Sequence, residues 1–113
     1  MLKLRTVILT SVATFSATAG FAACVSPVEV TVPDGSQASM EEMLAAQTAV
    51  KSYMANMEDY LKCLDDESAT DADTQTDEQR LAHVQQHNSA VDAMERVANS
   101  FNEQIRAYKA LND

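Results

Sequence analysis

The sequence predicts an all-α protein: a long antiparallel helical hairpin preceded by an extended N-terminal arm. Two long stretches carry apolar residues in alternating steps of three and four, the spacing of a heptad stripe. Each stretch opens on a capping box, and neither contains proline or glycine. The chain has only two prolines and two glycines, and Pro27, Pro33 and Gly35 all lie before the first helix.

Residues 1–23 are expected to form a cleavable signal peptide. Lys3 and Arg5 give a positive start, and Val7, Ile8, Leu9, Val12, Ala13 and Phe15 an apolar middle. The small residues of Phe21-Ala22-Ala23 fit cleavage after Ala22 or Ala23. Thr10, Ser11, Thr14, Ser16 and Thr18 break the run, whereas a permanent span needs about 20 predominantly apolar residues. The mature chain is therefore expected to have no transmembrane segment and to reside in the periplasm. Cys24 directly after the cut keeps an alternative open, an outer-membrane lipoprotein acylated there. Ala22 and Ala23 suit that alternative; Phe21, where such signals usually carry leucine, does not.

Residues 24–38 form the arm. Val28, Val30 and Val32 alternate with Glu29 and Thr31, a strand-like period between Pro27 and Pro33. Pro33-Asp34-Gly35 signals a turn. Residues 39–113 form the hairpin. The first helix, about 40–66, starts at the capping box Ser39-Met40-Glu41-Glu42. Its expected core stripe is Met40, Met43, Val50, Met54, Met57, Leu61 and Leu64, with Gln47 in one polar slot and Leu44, Ala46, Tyr53 and Tyr60 broadening it. Asp65, Asp66 and Glu67 oppose the helix dipole, so the helix is expected to fray there into an acidic linker, 67–76. Thr76-Asp77-Glu78-Gln79 caps the second helix, about 77–111. Its expected stripe is Val84, His87, Val91, Met94, Ala98, Phe101, Ile105 and Tyr108, broadened by Leu81, Val97 and Leu111.

A short polar linker folds the helices back on each other. Setting Leu64 opposite Leu81 brings Met40 near Ile105 and places Glu41 and Glu42 near Arg106 and Lys109. Phe101, Ile105, Tyr108 and Leu111 then need cover, which the arm can supply. From Ser39 to Cys63 the helix rises about 36 Å, and the chain from Cys24 to Ser39 can stretch about 50 Å. The arm can thus run back beside the helix and reach Cys63. Cys24 and Cys63 are the only two cysteines, and one disulfide between them is expected in an oxidising compartment.

Loss of Lys3 and Arg5 takes the formal net charge from −9 to −11. A surface that acidic argues against nucleic acid and anionic lipid headgroups as main partners. It leaves cations, basic peptides, or solubility alone. His83 and His87, at i and i+4, share a helix face as a metal pair would, with Cys63 or Asp65 the nearest source of a third ligand. A disulfide would consume Cys63, and His87 occupies a core slot, so no metal or other cofactor is expected. Asp71-Ala72-Asp73-Thr74-Gln75-Thr76-Asp77 resembles the start of a calcium loop. It has Thr76 where that loop needs glycine and Ala82 where it needs glutamate. Met40, Met43, Met54 and Met57 fit core filling at heptad spacing. No Gly-rich phosphate loop, nucleophile elbow, Cys-x-x-Cys or haem-attachment motif is present, so no enzyme activity is expected.

The pattern of Cys24, Pro33-Asp34-Gly35, Met43-Leu44-Ala45-Ala46-Gln47, Val50-Lys51, Tyr53, Tyr60-Leu61 and Cys63-Leu64 resembles an uncharacterised family of small exported proteobacterial proteins. The likeness resumes at His87-Asn88, Ala90-Val91-Asp92, Phe101-Asn102-Glu103-Gln104 and Arg106. It implies a cell-envelope address and no established activity. His87, Asn88, Asn102 and Gln104 place polar groups on or beside the core stripe, where burial demands hydrogen bonds. They are expected to fix the hairpin register or to mark a contact surface. The stripes are wide for two helices. They predict a structural or interaction role, with a homodimer forming a four-helix bundle or an envelope protein as partner; a small metal- or ligand-binding envelope protein is the alternative.

Overall fold

The computed structural model describes residues 24–70 and 72–112. The signal-peptide segment 1–23 lies outside the described residues. The described chain is an extended arm, 24–38, followed by α1 (Met40–Thr70) and α2 (Asp77–Asn112), which pack as a helical hairpin.

Both capping boxes form. The Glu42 amide donates to Ser39 Oγ at 3.1 Å, and the Ser39 amide donates to Glu42 Oε2 at 3.3 Å. At α2 the Gln79 amide donates to Thr76 Oγ1 at 3.2 Å and the Thr76 amide to Gln79 Oε1 at 2.8 Å. Each box satisfies amides that a helix start leaves without intrahelical partners.

The end of α1 departs from expectation. The helix does not fray at 66 but continues to Thr70, which shortens the connection to residues 71–76. Dipole repulsion among surface acids is a small term. It is outweighed by burial of Leu64, 2% exposed, and by the cross-link at Cys63 one residue earlier. Thr70 Oγ1 also donates to the Asp66 carbonyl at 2.8 Å, closing the last turn.

The core differs from the expected stripe by a rotation. On α1 the seam facing α2 is Met43, Val50, Met57 and Leu64, all buried at intervals of seven. A second interval-of-seven row, Ala46, Tyr53 and Tyr60, is buried or half-buried beside the arm. The expected members Met40 and Gln47 are exposed, and Met54 and Leu61 only half-buried. On α2 the buried residues are Ala90, Val97 and Phe101, whereas Val84, Leu81 and Leu111 are exposed. The arm causes the rotation. Val30, Val32 and Ala38 pack into the cluster, so the core turns toward the side they cover. The cover stops short of Leu111, which stays 64% exposed.

Candidate functional site

The arm is held at three points along the groove between the helices. At the bend end, Cys24 and Cys63 form a disulfide, with Cα atoms 5.8 Å apart. This is the expected bridge, and it spans 39 positions. Closing a loop of that size contributes about 4 kcal/mol in the chain-entropy account. The Glu67 carboxylate lies 3.5 Å from Cys24 Sγ. A disulfide sulfur carries no hydrogen, so this is a contact and not a hydrogen bond.

Midway, the Arg96 guanidinium grips the Glu29 carboxylate with two hydrogen bonds, Nε to Oε1 at 3.2 Å and Nη2 to Oε2 at 3.0 Å. The paired donors hold the Glu29 pKa below its ordinary value and raise that of Arg96. Tyr53 lies behind the pair. Burial, and then the Glu29 charge, push its phenol pKa upward, so it stays neutral.

At the open end the arm turns back into α1. The Asp34 carbonyl accepts from the Gln37 and Ala38 amides at 3.1 and 2.9 Å. Asp34 Oδ1 accepts from the Ser36 hydroxyl at 2.7 Å and the Ser36 amide at 3.0 Å, which lowers the Asp34 pKa. The turn is pinned to α2 where the Gly35 amide donates to Gln104 Oε1 at 2.8 Å. Gly35 is buried, and a Cβ placed on it would collide with the backbone carbonyl of Gln104. Its φ is not positive. Glycine is therefore needed here for close approach, not for an unusual backbone angle.

Among the four polar residues singled out from sequence, Gln104 is half-buried and holds the arm turn to α2 through the Gly35 amide, a contact with the arm and not one between the two helices. His87 is half-buried. Asn88 and Asn102 are exposed, one position round the helix from the core, and so need no buried partner. Sequence reasoning missed Glu29 and Arg96. Arg96 occupies a polar position flanking the buried Val97, and its pairing became visible only once the arm was laid along α2.

His83 and His87 do not gather a metal set. His83 Nε2 sits 3.6 Å from Asp65 Oδ1, the residue expected across from it. Cys63 is consumed by the disulfide, and among the described residues no group of three or more His, Cys, Asp or Glu side chains could hold a metal. The methionines do not converge: Met43 and Met57 are in the seam, Met54 is half-buried and Met40 is 65% exposed.

Among the described residues, the side of the hairpin opposite the arm remains open. Rows at intervals of seven run along it: Met40, Gln47, Met54 and Leu61 on α1, and Val84, Val91, Ala98 and Ile105 on α2. All are exposed or half-buried. At the open end Met40, Leu44, Phe101, Ile105 and Tyr108 line an apolar groove of 330 Å³.

No protein-family model, no curated protein and no solved structure matches the chain. No helix among the described residues is long and apolar enough to cross a membrane. The disulfide is compatible with an oxidising, exported location.

Proposed function

We propose that this is a non-enzymatic protein of the periplasm, exported by a cleavable signal peptide, which acts by docking another helical surface. One observation carries the proposal. The arm closes one side of the hairpin, while the opposite side keeps a heptad-spaced, largely apolar face with Met40 65% and Val84 50% exposed. Aligned apolar rows at this spacing suit helix-on-helix packing. The absence of catalytic motifs from the sequence supports a role without chemistry, and the resemblance to small exported envelope proteins supports the address. A disulfide at Cys24 supports the soluble periplasmic form, because the same sulfur cannot also hold a lipid thioether.

The proposal is tested by crosslinking in the native periplasm through photoreactive groups placed on the open face and, separately, on the arm. Crosslinks to one discrete product from Val84 and none from Val28 are expected. Equal, diffuse labelling from both faces would refute it. A second reading, a small metal- or ligand-binding envelope protein, is favoured only by the approach of His83 to Asp65. Zinc, copper(I) and calcium titrations are expected to give no saturable binding; a stoichiometric site lost with His83→Ala would establish this alternative instead.

A further inference from the structure

The open face points to its own occupant: we propose that a second copy of this chain covers it, with both bends at the same end, α1 of each copy lying against α2 of the other. This rests on the docking role proposed above and names its partner. Two features carry it, the apolar rows and the charges that flank them.

The apolar rows are matched in length and height. Met40 is level with Ile105, since both line one groove, and Asp65 is level with His83 across the hairpin. The α1 row from Met40 to Leu61 therefore spans the same height as the α2 row from Ile105 to Val84. In a four-helix bundle each helix meets two neighbours, one within its own chain and one across the interface. The seam row serves the first neighbour, and the open row is left for the second.

The flanking charges choose the arrangement. Beside the open row of α1, again at intervals of seven, run Leu44, Lys51, Glu58 and Asp65. Beside the open row of α2 run Leu81, Asn88, Glu95, Asn102 and Lys109. All these residues are exposed. Among the described residues Lys51 and Glu95 make no ion pair. Lys51 is level with Glu95. If a two-fold axis runs along the helices, Lys51 faces the partner's Glu95. Asp65 then lies within a turn of the partner's Arg80, and Glu41 within a turn of the partner's Arg106. If the axis instead runs across the helices, like elements meet: Lys51 faces the partner's Lys51, and Glu95 the partner's Glu95. Opposite charges at such flanking positions select partner and orientation, and like charges penalise the alternative. The acidic bends do lie side by side in the preferred arrangement. Their repulsion opposes this pairing, and beyond about 8 Å physiological salt screens it.

Sedimentation equilibrium of the oxidised chain, as processed by its host, tests this from micromolar to hundreds of micromolar concentrations. A mass of two chains is expected. Lys51→Glu and Glu95→Lys are each expected to weaken the dimer about tenfold, since two-fold symmetry repeats every altered contact. Combining them is expected to restore affinity to within about threefold. Val91→Glu on the open row is expected to give a monomer of unchanged helicity, so loss of pairing is separable from loss of folding. A monomer at every concentration overturns the proposal, and so does a double variant no tighter than the singles. If the chain is monomeric yet crosslinkers at Val84 still capture one discrete envelope protein, self-pairing fails and the docking role stands. If neither occurs, both fail.

Discussion

Tyr53 and Met54 are adjacent in sequence but lie on opposite sides of one seam. Tyr53 faces the arm and is 3% exposed, behind the Glu29–Arg96 pair. Met54 faces the open side and is half-buried, with no second layer of described residues over it. Both belong to rows spaced by seven, and both rows are apolar enough to be core. The difference between them is a third layer, present on one side and absent on the other. A two-helix hairpin buries only the strip where its helices meet, so any broader stripe must find cover elsewhere. The arm supplies that cover on one side, and in our proposal a partner surface supplies it on the other.

This contrast can be broken by substitution. Tyr53→Ala removes a buried aromatic and is expected to destabilise the chain by about 3–4 kcal/mol in thermal or urea unfolding. Met54→Ala, one residue on, is expected to cost less than about 1.5 kcal/mol in the isolated chain. Equal losses would mean that the two sides are not different. Replacing both Cys24 and Cys63 with serine releases the end of the arm and is expected to cost about 2–4 kcal/mol, without loss of helicity. Gly35→Ala drives a methyl group against the Gln104 carbonyl and lifts the turn from α2, at an expected cost of about 1–3 kcal/mol.

The smallest effect is electrostatic and concerns the middle of the arm. Glu29 has a pKa lowered from its ordinary 4.5 by the Arg96 hydrogen bonds. Its contribution is therefore fully present above that value and is lost as pH falls through the lower, folded one. Asp34 follows the same sign from 3.8. Carboxyl titration by NMR is expected to show both midpoints depressed, with the Glu29 midpoint returning to normal in Arg96→Ala. The pair is exposed, so Glu29→Gln is expected to shift stability less than any substitution above. Tyr53, with its pKa raised from 10.0, acts at the other extreme: its contribution is complete below that value and is lost only as pH rises through the folded pKa.

Much of this architecture was legible in local patterns. Ser39 with Glu42, and Thr76 with Gln79, announced both helix starts because a capping box is a contact between neighbours in sequence. The Cys24–Cys63 bridge followed from chain length and helix rise. The rotation of the core was not legible. Heptad spacing gives the width of a stripe but not which flank an arm will cover, so Ala46 and Tyr53 read as margin and Met40 and Gln47 as core. The persistence of α1 to Thr70 was hidden for a related reason: the burial of Leu64 and the cross-link at Cys63 are tertiary facts that outweigh the local dipole. In the candidate site, Gln104 was identified from its place beside the stripe, whereas Glu29 and Arg96 lie 67 positions apart and carried no joint signal.

Methyl NMR of the methionines along a dilution series, from millimolar to micromolar, tests the contrast between the two sides most directly. Met40 and Met54 report the open side, and Met43 and Met57 the seam. The expected result is that Met40 and Met54 shift together with concentration and lose contact with a soluble paramagnetic agent as the chains pair, while Met43 and Met57 stay fixed and protected throughout. A series in which the paramagnetic agent broadens Met54 equally at every concentration, or in which Met57 moves with it, would contradict the assignment of the open side as an interface.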